Sequence, residues 1–563
     1  MYDVVGKVQS VNDPTGTYGF SYDNMGRLTG TSTQYAFLTG TFTNSYTYDA
    51  ASNRTGFTAP DGSTNTYSYD TLNRLAGLAN SWAGSFGFSY DALSRRTQIT
   101  RPNGISTNYS YDSLSRLLSV LHQTGASTID GAVYTVDAAG NRTSKADQLA
   151  GVTSNYGYDA IYQLTQVAQG ASTTESYTYD PVGNRLSSLG VSPYSYNPSN
   201  EMVSTPTALY VYDSNGNTTS NTDSTGTTSY AWDYENRLTT VTLPGSGGTV
   251  TFKYDPFGRR ISKSSSAGTS VFAYDGDNLA EETNATGAVI ARYSQGQNID
   301  EPLAMSRSGA TSYYEGDGLG SVTSLTASNG SLAQSYTYDS FGKLNASAGS
   351  LINPFQYTAR ELDSDTGLYY YRARYYDPAA GRFLSEDPIG FDSGQNNFYD
   401  YVGNSPVLNF DPTGLAYCMF IMDKNSHSGY MLCLPKDPRK PSLGFPAASG
   451  NNANGSNCKN NPDCAAKHFV GPIPLGTWGW TNRPNSKGQY DARSLEPVPY
   501  TGTNLTEGRT GILTHWCPHP FGPSAHPPFC SAGCVTANQA NIRALNKLID
   551  SEPGSTLSVL QTQ

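Results

Sequence analysis

A mainly β fold is predicted by three features of this 563-residue sequence: 42 tyrosines beside 57 glycines, a charged fraction of only 14%, and a short motif that keeps returning. Typical globular chains carry about 25% charged residues. Tyr, Thr, Ser, Gly and Asn suit strands and tight turns, whereas helix bundles and coiled coils need Ala, Glu, Lys and Leu at helical spacing. The N-terminal MYDVVGKVQS lacks the basic and apolar regions of a signal peptide, and no run approaches the roughly 18–20 apolar residues that span a bilayer. Neither Sec export nor a membrane anchor is expected from these residues. The opening inside a repeat-like pattern suggests further sequence upstream.

The motif reads YDNMGRL from Tyr22, YDTLNRL from Tyr69, YDALSRR from Tyr90, YDSLSRL from Tyr111, YDPVGNRL from Tyr179 and YDPFGRR from Tyr254. Asp49, Asp70, Asp91 and Asp112 follow one another at 21-residue intervals, and Asp159, Asp180, Asp233 and Asp255 continue the series. Each unit predicts a strand with alternating aromatics, an Asp-initiated turn and a return strand. Stacked hairpins bury one face against their neighbours and produce a continuous sheet, a wall rather than a pocket. The Tyr-Asp pairs are therefore packing and turn residues rather than a sugar site. Gly316, Gly318 and Gly320 lack the βαβ setting of a dinucleotide loop.

Composition changes abruptly near residue 415. Residues 416–563 hold 12 Lys+Arg against 8 Asp+Glu, hence +4; the whole chain has 35 against 46, leaving 23 against 38, hence −15, for residues 1–415. All seven cysteines and five of the six histidines lie in the second part. The net charge of −11 lacks the attraction that most nucleic-acid binders use, so neither nucleic acid nor membrane is an expected partner.

The YD repeats, the EGDGLGSVTSLT segment, and YYYRARYYDPAAGRFLSEDPIGF followed by YVGNSPVLNFDPTGL resemble the C-terminal core of Rhs/YD-repeat proteins. The resemblance implies a YD-repeat β-cocoon shell (residues 1–345), a core-associated segment (346–415) and an enclosed C-terminal toxin (416–563). It further implies delivery by secretion-apparatus proteins into a rival bacterium, and a cognate immunity protein. By the same resemblance Asp387 of DPIG and Asp411 of DPTG are an autoproteolytic pair that cuts after Leu415. Two carboxylates sharing a proton can serve as acid and base on a peptide bond, although D-P-x-G is also a good turn anywhere. Glu386 stands where relatives often have a basic or amide residue.

In the tail, GRTGILTHWCPHPFGPSAHPPFCSAGCVTA places His515 after an apolar, strand-like stretch, with 15 residues between it and Ser531 and with Cys534 closing S-A-G-C. A thiol nucleophile needs an imidazole to take its proton and donors for the oxyanion. Ile542, Leu545, Leu548 and Ile549 recur at helical spacing, so Cys534 is expected near a helix N-terminus, where the dipole lowers a thiol's pKa. The amides of Gly533 and Cys534 can form the oxyanion hole. The pattern H-x15-S-x-G-C, with GPIPLGTWGW upstream, resembles L,D-transpeptidases and gives a small β-rich (α+β) domain.

That resemblance implies a periplasmic toxin acting on peptidoglycan tetrapeptide stems: Cys534 attacks the meso-diaminopimelate to D-Ala carbonyl, His515 is the base and Ser531 positions it. His519 and His526 are alternative bases. Ala532, Val535 and Thr536 depart from the pattern and leave the acceptor open. No cofactor or metal is assigned. The other six cysteines read as disulfides, for which Cys418–Cys433, Cys458–Cys464 and Cys517–Cys530 are one of 15 pairings, or as zinc ligands with His468 and His519. A papain-like amidase places Cys before His, whereas no histidine follows Cys534. A nuclease lacks its paired His and metal-binding acids here. A non-enzymatic rival is a surface adhesion protein with a carbohydrate-binding YD wall and a disulfide-rich tail.

Overall fold

The computed structural model describes residues 1–4, 6–390 and 396–413, together with the backbone of eight strands between residues 419 and 561. By its contacts the chain divides into two compact units. One is Met1–Glu386 with Tyr399–Gly414, and the other is Asp387–Phe398 with Leu415–Gln563.

The first unit is built almost wholly of antiparallel strands. A 17-stranded sheet runs from Ser10–Asp13 to Arg185–Ser188, a 16-stranded sheet from Ser195–Tyr196 to Leu344–Gly349, and a four-stranded sheet spans Glu361–Phe383. Within the two large sheets each strand pairs with its chain neighbour. The topology is therefore a meander, as tandem hairpins require.

The YD turn explains why these residues meander. At Asp70 the carboxylate Oδ1 accepts the backbone N–H groups of Leu72 (2.9 Å) and Arg74 (3.0 Å), and Oδ2 accepts Arg74 Nε at 2.7 Å. The chain must enter the left-handed region three residues after each aspartate. Gly258 does so at φ +82° and Ser94 at +62°. The return strand then pairs out of step, with a register shift at Ser68/Tyr69. This is a hairpin closed by a glycine-type bulge.

Successive turns are linked by the same arginine. Arg74 donates to the Asp91 carbonyl at 3.3 Å and lies 4.6 Å from the Tyr90 ring centroid; Arg95 repeats this on Asp112 (3.0 Å) and Tyr111 (4.8 Å). Each tyrosine hydroxyl reaches back to the preceding return strand, Tyr90 to the Leu75 carbonyl and Tyr111 to that of Arg96.

The second sheet lies back against the first. Tyr35 donates to the Phe272 carbonyl, 237 residues ahead, Arg101 to that of Tyr314, 213 ahead, and Glu175 accepts from the Ser340 amide, 165 ahead. The offset falls along the ribbon, as in a coil that tightens. Ion pairs join the layers, Arg54 with Asp275 at 2.7 Å and Lys145 with Asp317 at 2.8 Å. Apolar clusters take members from both sheets, for example Tyr46, Phe57 and Leu78 with Leu303 and Tyr313. This return corrects the expectation of a wall without a pocket. Between the layers lies an open pocket of about 860 Å³ lined by Lys145, Glu175, Arg185 and Asp339 among others. Gly318 and Gly320 serve a turn of the same kind: Gly320 takes φ +83°, and the Gly318 amide donates to Tyr134 Oη at 2.8 Å.

In the second unit, eight strands close a barrel, in the order Met419–Asp423, Ser428–Cys433, Leu443–Ser449, Val535–Ala537, Ile512–Trp516, Arg493–Pro497, Gly476–Thr481 and Thr556–Gln561.

The turn chemistry predicts unequal costs for one substitution. Asp91 is partly open to solvent, so Asp91→Ala loses about 1 kcal/mol, the usual worth of a side chain capping backbone amides. The Asp255 side chain is fully buried, so Asp255→Ala leaves the Phe257 and Arg259 amides without their acceptor away from water and loses about 2–3 kcal/mol. Urea denaturation of the full chain measures both, and equal losses would refute the burial argument.

Candidate functional site

The segment from Leu344–Gly349 to residue 413 carries the aromatic run that the sequence concentrates in YYYRARYYDP. Alternation along Leu368–Tyr371 and Arg374–Asp377 sends Tyr369 and Tyr371 to one face and Tyr370 to the other. Tyr369, Tyr371, Tyr376, Phe383 and Tyr401 form one buried cluster with Leu164, Val167 and Tyr177 of the first sheet and Phe341 of the second. The Tyr376 and Tyr401 rings lie 4.4 Å apart, and the Tyr371 and Tyr401 hydroxyls 3.0 Å apart. On the opposite face Tyr370 and Tyr375 pack with Leu238, Val250 and Phe252.

Polar anchors fix this segment to both large sheets. Arg260, almost wholly buried, bonds Glu361 Oε2 at 2.7 Å and also pairs with Asp363. Thr218 donates to the Leu384 carbonyl from its amide (2.9 Å) and its hydroxyl (2.8 Å). Asn404 Nδ2 donates to Gly183 O at 2.8 Å, and Arg142 to Val407 O at 3.0 Å. The parts of this segment that belong to the first unit are thus held at Glu361, Asp363, Leu384, Asn404 and Val407.

Asp411 Oδ1 accepts the Thr413 amide at 3.1 Å, which closes the D-P-T-G turn, while Oδ2 lies 3.3 Å from Arg374 Nη2. Arg374 sits with its guanidinium carbon 3.6 Å from the Phe383 ring centroid. Arg372 donates to the Pro412 carbonyl. In the second unit Asp387 is buried and makes the matching turn: Oδ1 accepts the Ile389 amide at 3.0 Å, the carbonyl accepts the Gly390 amide at 2.8 Å, and the Asp387 amide donates to Phe398 O at 3.0 Å. Both aspartates therefore spend one oxygen on a turn.

Glu386 belongs to the first unit. Burial, and then the charge of Glu201, raise its carboxyl above the ordinary range. Burial likewise holds Asp400 up at about 7, against the Asn404 amide and Arg382, and holds Asp339 up at about 7 with Glu175 adding to the effect. Leu415 lies outside the described residues.

For the tail, His515 lies on Ile512–Trp516, which pairs in parallel with Val535–Ala537, His515 opposite Thr536. That second strand begins one residue after Cys534. The expectation of a helix starting at the cysteine is corrected here: the next three residues extend as a strand, since Val and Thr are β-branched. Cys534, Ser531 and Gly533, the alternative bases His519 and His526, and the helical residues from Ile542 to Ile549 lie outside the described residues. So do the cysteines, apart from the backbone of Cys433.

The residues that the sequence reading missed are Arg372 and Arg374. The available signal was two arginines inside an otherwise aromatic run, where a buried cation demands a partner.

The Teneurin YD-shell family matches residues 136–407, and the RHS repeat matches residues 2–36 and 87–128. The chain is 32% identical over 273 residues to the tRNA3(Ser)-specific nuclease WapA of Bacillus spizizenii, covering 46% of this chain and 12% of that protein. It is 30% identical over 318 residues to the double-stranded DNA deaminase toxin A of Burkholderia cenocepacia, covering 50% and 22%, and 34% identical over 110 residues to the toxin protein Tse5 of Pseudomonas aeruginosa, covering 20% and 8%. Among solved structures, TcdB2-TccC3-Cdc42 aligns with a TM-score of 0.63 at 21% identity, covering 73% of this chain and 24% of that one. The chain thus spans well under half the length of these relatives.

The buried carboxyls predict a pH response. Asp339 and Asp400 keep their protons up to about 7, while an unfolded carboxyl releases its proton near about 4. Their contribution to stability is thus present below about pH 4, declines as pH rises, and is gone above about 7. Thermal melts across this range should show Asp400→Asn flattening the decline; an unchanged slope would count against it.

Proposed function

We propose that this Rhs/YD-repeat shell is the enclosing part of a polymorphic antibacterial toxin, and that it frees its own C-terminal toxin by cutting after Leu415. One observation carries the first step: Asp411 is held against Arg374 in a D-P-T-G turn that lies where the first compact unit ends, at Gly414. In the proposed reaction Asp387 and Asp411 act as a proton-sharing pair. One carboxylate takes a proton from water, the resulting hydroxide adds to the Leu415 carbonyl, and the other carboxyl protonates the departing Ala416 nitrogen. The C–N bond breaks, leaving a carboxylate on Leu415 and an amine on Ala416.

The relatives are named for a tRNA nuclease, a DNA deaminase and a toxin, so shells of this kind accompany more than one chemistry. The tail of this chain decides its own. We assign it L,D-transpeptidase and L,D-carboxypeptidase activity on peptidoglycan stem peptides. The supporting features are the H-x15-S-x-G-C pattern and the pairing of the His515 strand with the strand that follows Cys534. His515 takes the thiol proton, Cys534 sulfur adds to the diaminopimelate carbonyl, and the amides of Gly533 and Cys534 receive the oxyanion. D-Ala leaves with the proton from His515. The thioester then passes to water or to the amine of a D-amino acid. Delivery by a secretion apparatus, action in the target periplasm and neutralisation by an immunity protein complete the reading.

Purified full chain should generate a fragment beginning at Ala416, seen by intact mass, and Asp387→Asn or Asp411→Asn should abolish it. A stable, uncleaved wild-type chain would end the self-cleavage reading. The self-cleaved protein, incubated with disaccharide tetrapeptide and D-Met, should release D-Ala or exchange it for D-Met, and Cys534→Ala should do neither. An unchanged stem-peptide mass with wild-type protein would sink the transpeptidase assignment and favour the adhesion alternative.

A further inference from the structure

Self-cleavage after Leu415 needs the chain just upstream to be held still, because a misplacement of about 1 Å can cost about 10²-fold in rate. The first unit contains a relay that ends on that stretch. Arg372 donates from Nη1 to the Pro412 carbonyl, three residues before the bond that is cut. The same guanidinium bonds Asp300 through both nitrogens, Nη2 to Oδ1 at 2.8 Å and Nη1 to Oδ2 at 3.2 Å. Asp300 in turn pairs with Arg360, which is almost wholly buried and holds the Tyr370 carbonyl from Nε (3.2 Å) and Nη2 (2.8 Å). Tyr370 lies in the strand that leads directly into Arg372.

Burial sets this relay apart from ordinary surface pairing. Arg372 occupies the tight turn between Leu368–Tyr371 and Arg374–Asp377 at φ +55°, where Gly or Asn is the usual choice. Asp300 sits at φ +58° in the loop before Pro302–Arg307. The Arg372 side chain is mostly buried and the Asp300 carboxylate almost wholly so. A pair this enclosed keeps its geometry, since the bidentate fork matches a carboxylate in one orientation.

We propose that Arg372, aligned by Asp300, is a positioning residue for self-cleavage: it fixes the Pro412 carbonyl, three residues before the bond that is cut. This inference rests on the self-cleavage reading above. It assigns Arg372 no part in proton transfer.

The test follows appearance of the Ala416 fragment from full-length chain freshly refolded from denaturant, alongside the melting temperature of each variant. Arg372→Ala should cleave about 10²-fold more slowly with its melting temperature little changed. Arg372→Lys should be intermediate, since it keeps a donor but not the fork. Added guanidinium, well below denaturing levels, should partly restore Arg372→Ala. Asp300→Asn should slow cleavage, and combining it with Arg372→Ala should slow it by less than the product of the two losses, because the two residues share one bidentate pair. Wild-type rates in Arg372→Ala overturn the inference, as do multiplicative losses in the double variant. Should Arg372→Ala fail to fold, Arg372→Lys decides: a folded variant cleaving at the wild-type rate overturns it. A wild-type chain that never cleaves removes the self-cleavage reading itself, which separates the two failures.

Discussion

The bond between the turn aspartate and the residue four positions on, an arginine at Asp23, Asp70, Asp91, Asp112, Asp233 and Asp255, is the interaction from which the rest of this structure follows. One carboxylate does three things at Asp70: it caps two amides, closes the turn and holds Arg74. The captured guanidinium then reaches the next repeat, where it meets both a ring face and a backbone carbonyl. Any one of these contacts is worth little at a surface. Repeated along the ribbon, they fix the spacing of successive hairpins, because a slip in one turn would detach the arginine of the turn before. Where asparagine replaces arginine, amides take over: Asn184 bonds Asp180 and Asn200, both at 2.9 Å.

With its edge set in this way, the ribbon can turn back on itself, and the interior contacts change character. Between the layers the pairs are buried, as with Arg101 and Glu315 at 2.9 Å. Buried pairs add little net stability but penalise misalignment strongly, since a stranded charge is costly. They therefore act as register pins between stretches some 200 residues apart, while tyrosines and aliphatics supply the burial. The core-associated segment uses the same arrangement. Arg260 meets Glu361 and Asp363 in the interior, and the aromatic cluster around Tyr376 and Tyr401 joins that segment to both sheets. Asp411 and Pro412 are reached by arginines from a hairpin anchored in that cluster, so the chemistry assigned to this junction depends on packing that begins hundreds of residues earlier.

Much of this was legible in the sequence, and for a physical reason: the information is local. The aspartate, the left-handed position and the arginine fall within five residues, so D-x-x-G-R or D-x-x-S-R declares its turn without reference to the rest of the chain. The strand alternation is local too, with a period of two residues. The family resemblance added Asp387 and Asp411, and their turns are where the motif put them. The helix expected directly after Cys534 failed because three β-branched or small residues extend first, a competition that helical spacing further along does not reveal.

The sequence by itself determined the β class, the repeat, the turn chemistry and the compositional break near residue 415, since each is set by neighbours in the chain. Only the tertiary structure decided which charges meet. Nothing in the local pattern distinguishes Arg372 from Arg374, or pairs either with a residue dozens of positions away. Asp300 reaches Arg360 and Arg372, and Arg372 reaches Pro412, because the coiled ribbon brings a loop, a hairpin and the end of the unit to one place. Burial then makes those pairings obligatory, because an arginine removed from water must find an acceptor wherever the fold supplies one.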